Sequence, residues 1–337
     1  MIAMSEPSVA KNAVAELHPT APIKGLALPS VSLPRVLKLA LYSAVPPQPL
    51  IAQFDAGFIS TPASRAELQS AWERANAAYA RLPGPERSYL GAGDLRSLVG
   101  VEREEIDRVL QRVRLYPPFD SHPVEIVAVR VSKLVSPQLT VSLPRADRRT
   151  SIVSGATDDE LFRVSTSPSL TMEPVNRQTL LLAPNQGAHL FTSYDEDVRA
   201  HPPIFRDLQL EPRDGDGQVL PSFCLPIGGG IPFIQAHRVR IASGIERVIL
   251  VNGFHRAFAI ARAGYEWLPL VICRLEPVEI PPQFLELPSP LIMNPTSNPP
   301  VLTDFLDEDI AMRLEYYPVL RVVRVNWGVD QYAIVLR

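Results

Sequence analysis

Proline most constrains the fold of this chain, because 35 of its 337 residues are proline, about twice the average frequency. A proline has no backbone N–H and a fixed φ, so it interrupts helices and is confined to the edges of sheets. Much of the chain must therefore consist of loops, edge strands and extended connections. The hydrophobic content of 46% still allows a substantial core, in one large domain or two small ones.

Charge and cysteine content exclude several classes of protein. The chain has 33 Lys+Arg and 36 Asp+Glu, so its overall charge does not indicate nucleic-acid binding. A local basic patch is still compatible with this composition. Cys224 and Cys273 both lie in apolar contexts, which argues against a disulfide framework or a thiolate zinc site. We therefore expect a cytoplasmic protein without a metal site.

The most apolar early stretch, Val36 to Phe54, does not predict a membrane span. It contains Lys38 and is interrupted at Pro46-Pro47 and Pro49, so it cannot form an apolar helix of sufficient length. It also begins too far along the chain for a secretory signal. We expect no membrane partner.

The N-terminal third divides into a tail and a helical module. Residues 1–34 lack a sustained hydrophobic period and predict a mobile tail. Residues 35–120 predict a helical module, in which Ser64 and Glu67 form a capping-box pattern before a helix with apolar residues at helical spacing. A second helix is expected near residues 94–115. If the chain has a protein partner, we expect it to bind these helices.

Residues 121–280 predict an α+β domain. The runs at 237–242 and 246–251 flank a short glycine turn and indicate a β-hairpin. A helix is expected from Gly253 to Gly264, followed by the apolar strand "LPLVIC". We expect that strand to pair in parallel with 246–251 through a βαβ unit.

The remaining segments are less regular. Between residues 145 and 212 the only expected strand is "TLLLA". Residues 281–337 predict a Pro-rich connector, an acidic-started helix over Thr303–Glu315 and a final hairpin. The hairpin strands are "VLRVVRVN" and "QYAIVL", joined through Trp327-Gly328.

The turn Asn252-Gly253-Phe254-His255-Arg256 carries the chemistry most suited to an anion. Exposed N–H groups at a helix start and the helix dipole both favour negative charge. Gly253 allows close approach to the backbone, Arg256 offers a charged fork that matches phosphate, and His255 can donate a hydrogen bond or move a proton. The alternative is an ordinary capped turn with a solvated arginine.

The run "ILVNGFHRAFAIARAGYEWLPLVIC" resembles the ParB/sulfiredoxin-like superfamily, whose members have a strand, a Gly-x-[His/Arg]-Arg turn, a helix, a glycine and a Pro-led strand in this order. The specific similarity covers residues 238–273, and "PVEIVAVRVSKLVSP" is similar to the family's opening strand. The resemblance implies a mixed sheet and binding of nucleotide phosphates, as with ATP in sulfiredoxins and CTP in ParB proteins. A nucleoside triphosphate with Mg²⁺ is the cofactor it implies. The matching positions are Gly253, His255, Arg256, Ala259, Gly264 and Pro269.

Departures from the family pattern limit what the resemblance implies. Phe254 stands where sulfiredoxins have their catalytic Cys and where ParB proteins have a Glu. No helix-turn-helix pattern follows the turn. The expected function is therefore a nucleotide- or phosphate-binding protein, either a nuclease or a nucleotide-dependent enzyme with His255 as its catalytic residue. The alternative is a non-catalytic scaffold or interaction protein that retains the fold.

Other polar residues extend the candidate site. Gly229 lies in a run of three glycines, which forms either a second backbone cradle or a flexible connection. Arg240 alternates with Arg238 along the hairpin, with Arg247 on the following strand, and these arginines either extend a phosphate or nucleic-acid surface or are solvated strand residues. The acidic clusters fit first helical turns or polar loops better than metal sites.

Overall fold

The structure is a computed structural model that describes residues 34–62, 64–114, 119, 121–166, 176–183, 186–193, 199–200, 227–228, 233–276 and 287–328. The predicted N-terminal tail lies almost wholly outside these residues. The chain divides into two compact units. In its described part, the first unit comprises residues 35–166 and 234–317, and the second comprises strands between 176 and 228 together with residues 318–328.

The first unit is α+β, which confirms the predicted class. Its helices are α1 (Gln48–Asp55), α2 (Arg65–Tyr79), α3 (Arg103–Val113), α4 (Leu143–Val153), α5 (Asp158–Thr166), α6 (Phe254–Arg262) and α7 (Ser289–Met293). Its strands are β1 (Val36–Ala40), β2 (Ile59–Thr61), β3 (Leu95–Arg96), β4 (Val124–Arg130), β5 (Leu134–Val135), β6 (Thr140–Ser142), β11 (Gln235–Ala242), β12 (Ile245–Asn252), β13 (Trp267–Leu275) and β14 (Met312–Tyr316).

A six-stranded mixed sheet, in the order β3-β4-β13-β11-β12-β5, forms the centre of this unit. Strands β11 and β12 are antiparallel, so the predicted hairpin is confirmed. Its turn contains Gly244 at φ 73°, a left-handed conformation that glycine adopts without steric cost. The predicted helix after the hairpin is α6, which is followed by Gly264 at φ 88°.

The predicted parallel pairing of β13 with β12 is wrong. Strand β13 runs parallel to β11, with Gln235 opposite Val271, and antiparallel to β4. The outer edge of β12 is taken by β5, which pairs Val248 with Leu134. The chain leaving α6 therefore joins the other edge of the hairpin, and the direct βαβ unit is not formed.

A four-stranded sheet, in the order β2-β14-β1-β6, contains the segment for which the sequence predicted a helix over Thr303–Glu315. That prediction is wrong, because Leu302–Leu306 forms a short 3-10 helix and β14 pairs antiparallel with β1. Within β14, burial alternates from residue to residue, the period of a strand with one buried face. Contacts with β1, which lies far away in the sequence, decide the conformation here.

The N-terminal helices are confirmed in part. Helix α2 begins after Ser64, whose side chain accepts a hydrogen bond from the N–H of Glu67, as the capping pattern predicts. The second predicted helix, 94–115, begins later than expected. It is α3, and Leu95-Arg96 instead forms an edge strand beside β4.

The second unit contains a three-stranded antiparallel sheet in the order β15-β8-β7. Its strands are β7 (Asn176–Ala183), which includes the expected "TLLLA", β8 (Gln186–Ser193) and β15 (Arg321–Gly328), and a separate pair is formed by β9 (Arg199–Ala200) and β10 (Ile227–Gly228). Trp327-Gly328 was predicted to be a turn, but both residues pair with β8 as part of β15. The predicted partner strand "QYAIVL" lies outside the described residues.

A buried ion pair links the segment before β14 to the segment after α2. Arg87 donates to both carboxylate oxygens of Asp304, each at 2.6 Å, and to the side chain of Asn298 at 2.7 Å. Although burial opposes the charged form, these bonds and the charge of Asp304 raise the pKa of Arg87. Asp304 also accepts the N–H of Val301 at 2.9 Å, so neither carboxylate oxygen lacks a donor.

Replacing Asp304 with Ala should lower the free energy of unfolding by about 3–5 kcal/mol, because Arg87 would remain buried without its carboxylate. Asp107→Ala is the matched control, since it breaks the exposed pair with Arg103 on α3 and should cost less than about 1 kcal/mol. Urea unfolding of both variants measures the two changes. Equal losses would contradict the structural role assigned to Asp304.

His237 is a fully buried titratable group in β11, opposite Ile249 of β12. Burial disfavours its charged form, and nearby His122 adds to this effect, so its pKa falls from 6.5 to about 4. The unfolded chain binds a proton near pH 6.5, whereas the folded chain does so only near pH 4. The burial of neutral His237 therefore costs no stability above pH 6.5. As the pH falls from 6.5 towards 4, the unfolded chain takes up a proton that the folded chain does not, and the free energy of unfolding decreases.

His237→Gln removes this titration and should make the protein less sensitive to acid. Between about pH 7 and about pH 4.5, the free energy of unfolding of the wild type should fall by roughly 2–3 kcal/mol more than that of the variant. Denaturant unfolding at both pH values gives the comparison. If the free energy of unfolding falls by the same amount in both proteins, the hypothesis is wrong.

Candidate functional site

Gly253 starts α6 in a conformation and a space that only glycine fits. Its φ is 84°, in the left-handed region. A Cβ built on it would lie 3.0 Å from both the Cα and the Cγ1 of Ile234, just before β11. The sequence suggested that Gly253 permits a ligand to approach the backbone. On the side where a Cβ would point, the close neighbour is Ile234.

His255 is nearly buried, with 8% of its surface exposed. Its Nε2 accepts a hydrogen bond of 3.1 Å from the backbone N–H of Ser142. An accepting Nε2 carries no proton, which assigns the neutral tautomer with the proton on Nδ1. In this conformation Nε2 is engaged in the structure and is not available as a base.

Arg256 is also only 8% exposed, and its Nη1 donates a hydrogen bond of 3.2 Å to the carbonyl oxygen of Val164. Val164 lies in the last turn of α5, where carbonyl groups lack partners within the helix and the dipole is negative. A guanidinium there stabilises the end of α5. The first turn of α6 is therefore tied to α4 by His255 and to α5 by Arg256.

Helices α4 and α6 pack side by side and run in the same direction. His255 contacts Ser142 at the start of α4, Arg262 contacts Asp147 in its second turn, and the hydroxyl of Tyr265 donates to Val153 at its end, at 2.8 Å. The N-termini of the two helices therefore lie together, and so do the positive ends of their dipoles.

Neither of these first turns contains an acidic residue. Helices α2, α3 and α5 have Asp or Glu in the first turn, the arrangement that the dipole favours, whereas α1 and α7 lack one as α4 and α6 do. In α4 the first turn instead carries Arg145, and in α6 it carries His255 and Arg256. Two positive dipole ends and three basic side chains thus belong to adjacent helix starts.

The structure brings together some of the predicted site residues and separates others. Asn252 ends β12 beside Gly253 and pairs with Gln235. Arg240, 68% exposed, lies opposite Glu246 near the other end of the hairpin, roughly 20 Å along the strand from Asn252. Gly229 lies outside the described residues.

The other two arginines of the hairpin are held by contacts within the protein. Arg238 donates from Nε to Glu246 at 2.9 Å and lies 3.8 Å from Glu125, so its charge is matched. Arg247 is completely buried. The interpretation of Arg247 as a phosphate ligand or a solvated strand residue is therefore wrong, because Arg247 is buried and donates to backbone carbonyls. For Arg238, a role in a phosphate or nucleic-acid surface stays a prediction.

Sequence reasoning missed the contribution of α4. Its start could have been found from Ser142-Leu143-Pro144, since a Ser followed by an early proline is a common N-terminal signal of helices. No group of three His, Cys, Asp or Glu side chains that could hold a metal occurs among the described residues. Within the same residues, no helix is long and apolar enough to cross a membrane.

Comparison with known proteins gives no further identification. No protein-family model and no curated protein matches the sequence, and no solved structure matches the fold.

Gly253→Ala should destabilise the fold more than the same change at Gly100. Both glycines have positive φ, but an added Cβ at Gly100 meets nothing within 4 Å. We expect Gly100→Ala to cost about 1–2 kcal/mol from backbone strain and Gly253→Ala roughly 1–3 kcal/mol more from the clash with Ile234. Thermal and urea unfolding check the difference. Equal costs would show that Ile234 moves away from the added methyl group without an energetic cost.

Proposed function

We propose that this chain is a nucleotide- or phosphate-binding protein with a ParB/sulfiredoxin-like domain, and that it holds its ligand at the start of α6. The observation that carries the proposal is the juxtaposition of two helix N-termini, those of α4 and α6, without an acidic side chain in either first turn. The resemblance of the turn around Gly253 to nucleotide-binding turns supports the same location.

The electrostatic reason is the mutual repulsion of these groups. Parallel neighbouring helices place like dipole ends together, and Arg145 adds a full positive charge to them, while the charge of Arg256 is shared with the negative end of α5. A phosphate near these N–H groups would reduce the repulsion and accept charge-assisted hydrogen bonds. Residues 252–254 are only partly buried, so the ligand would meet this turn first, with His255 and Arg256 behind it.

Nucleotides are the first ligands to test, because they carry phosphates and because the family resemblance implies nucleotide binding. A nuclease or a nucleotide-dependent enzyme remains the proposed reaction class, with a nucleoside triphosphate and Mg²⁺ as its cofactor. The catalytic role of His255 stays a prediction. It requires release of Nε2 from Ser142 or proton transfer through Nδ1.

Calorimetric titration with ATP, CTP, GTP and a short oligonucleotide, each with and without Mg²⁺, tests the proposal. Arg145→Ala and Arg256→Ala should each weaken binding roughly tenfold or more, since a charge-assisted hydrogen bond contributes on the order of 1.5–3 kcal/mol. Arg262→Ala is the matched control. It removes a cation from the opposite end of α6 and should change affinity by less than about threefold.

Two results would contradict the proposal. One is the absence of binding to any of these ligands by the folded wild type. The other is equal weakening by Arg262→Ala, which would indicate general attraction to the protein's positive charge rather than a site at the helix starts.

A non-catalytic scaffold is the second candidate, and a specific observation favours it. His255 and Arg256 already bind backbone groups of Ser142 and Val164, which are structural tasks sufficient to explain both residues. Under this proposal Arg256→Ala lowers the stability of the ligand-free protein, while no nucleotide changes its melting temperature. Phe254 in the place of a reactive side chain is consistent with it.

A further inference from the structure

Two buried polar atoms close to the start of α6 have no hydrogen-bond partner among the described residues. One is Oε1 of Gln235, a residue with 2% of its surface exposed, and the other is Oγ of Ser165, which is completely buried. A buried polar atom without a hydrogen bond destabilises a protein, and most such atoms in proteins are paired. Two of them in one neighbourhood indicate a place where a group from outside the chain can bind.

Ile234 joins both residues to the candidate turn. Its N–H donates to the carbonyl oxygen of Ser165 at 2.7 Å, and Gln235 is the next residue in the chain. Ile234 also lies against Gly253, where an added Cβ would be 3.0 Å from its Cα. Across the ladder from β11 to β12, Gln235 is opposite Asn252, so these two side chains lie on the same face of the sheet. Both unpaired oxygens therefore belong to the immediate surroundings of the start of α6.

The hydroxyl of Ser165 is exceptional among those of the helices. The hydroxyl of Thr166, the next residue of α5, donates to the carbonyl of Phe162 one turn earlier at 2.8 Å. In α4, Thr150 makes the same kind of bond to Ala146 at 3.0 Å. Such a bond is the usual way in which a buried helical hydroxyl is satisfied. Ser165 does not make it, so its hydroxyl remains available to another group.

The chemistry of Gln235 restricts the group that binds its oxygen. An amide oxygen is only an acceptor, so its partner is either an N–H or O–H donor or a cation. The N-termini of α4 and α6 and the guanidinium of Arg256 make this region positive, which disfavours a cation. A fully ionised phosphate offers only acceptor oxygens. The partner is therefore a donor on a part of the ligand other than its phosphates.

We propose that Gln235 determines specificity for the nucleoside part of the ligand. This inference rests on the proposed binding of nucleotide phosphates at the start of α6. Oε1 of Gln235 accepts a hydrogen bond from a nucleoside donor, either an exocyclic amino group of the base or a ribose hydroxyl, and the hydroxyl of Ser165 donates or accepts beside it. The nucleoside reaches Gln235 past Asn252 and Gly253, which are only partly buried.

Calorimetric titration of the full-length protein with nucleotides and with tripolyphosphate tests the proposal. Tripolyphosphate has the phosphates without a nucleoside, and it should bind at least about tenfold more weakly than the preferred nucleotide, because one hydrogen bond to a buried group contributes roughly this factor. The pairs ATP with inosine triphosphate and CTP with UTP differ by a carbonyl in place of the amino group. A tenfold loss within a pair identifies the amino group as the donor, and the same loss with the 2′-deoxy or 3′-deoxy nucleotide identifies the ribose.

Gln235→Met separates a ligand-binding amide from a structural one. It replaces the amide by an apolar group of similar length, so the preference for nucleotides over tripolyphosphate should disappear. The melting temperature of the ligand-free protein should rise or stay unchanged, because an unpaired buried amide is removed.

Asn76→Leu is the matched control for Gln235→Met. Nδ2 of Asn76 donates to the carbonyl of Ser43 at 2.8 Å, so its loss should lower the melting temperature and leave the nucleotide preference unchanged. Ser165→Ala is a second test variant. It should not lower the melting temperature of the ligand-free protein, and it should weaken nucleotide binding more than tripolyphosphate binding.

Four results overturn the proposal, and they leave the proposed function in different states. Equal affinity for tripolyphosphate and for all nucleotides would show that the site binds phosphate alone. A nucleotide preference that survives Gln235→Met would place the nucleoside elsewhere. A lower melting temperature of Gln235→Met, like that of Asn76→Leu, would show that the amide is satisfied within the folded protein, for example by a buried water. Absence of binding to any of these ligands would contradict the proposed function itself, and this inference with it.

Discussion

The start of α6 is the constraint on which much of the first unit depends. Its backbone turns at Gly253, in contact with Ile234, so the end of β12 and the beginning of β11 have a fixed separation. The next two side chains bind α4 through Ser142 and α5 through Val164. Five elements thus meet within one helical turn. A substitution in this turn would therefore disturb both the sheet and the helices that cover it.

Local sequence signals predicted a large part of the structure. The hairpin, α2 with its Ser64 cap and α6 with Gly264 after its last turn all follow from neighbouring residues. The candidate turn was located for the same reason, since a strand, a glycine and a helix occur in immediate succession. Which contacts its side chains make could not be read from the sequence, because Ser142 and Val164 lie about a hundred residues away.

The errors share a different physical origin, competition from distant strands. The acidic start at Asp304 suggested a helix, but Asp304 pairs with Arg87, and the following residues align with β1, near the other end of the chain. The partner of β13 depended on β5, a two-residue strand with little sequence signal. Arg247 resembled a solvated strand residue, but it is buried and donates to the carbonyls of Ile292, Asn294 and Ser297, some 50 residues later. Non-local pairing decided each case, and no local pattern reports it.

The proline content explains why several side chains of this fold donate hydrogen bonds to backbone carbonyls. Each proline removes an N–H, so nearby carbonyls cannot all find backbone donors and need side chains instead. The segment Ile292–Pro300 shows this, because Arg247, Arg87, Tyr79 and Tyr89 donate to its carbonyls. The same solution occurs before Pro46-Pro47, where Trp72 donates to the carbonyls of Tyr42 and Val45 at 2.9 and 3.1 Å. A side-chain donor must be placed accurately to bind such a carbonyl. Proline therefore prevents regular structure locally, but it requires a specific tertiary arrangement around it.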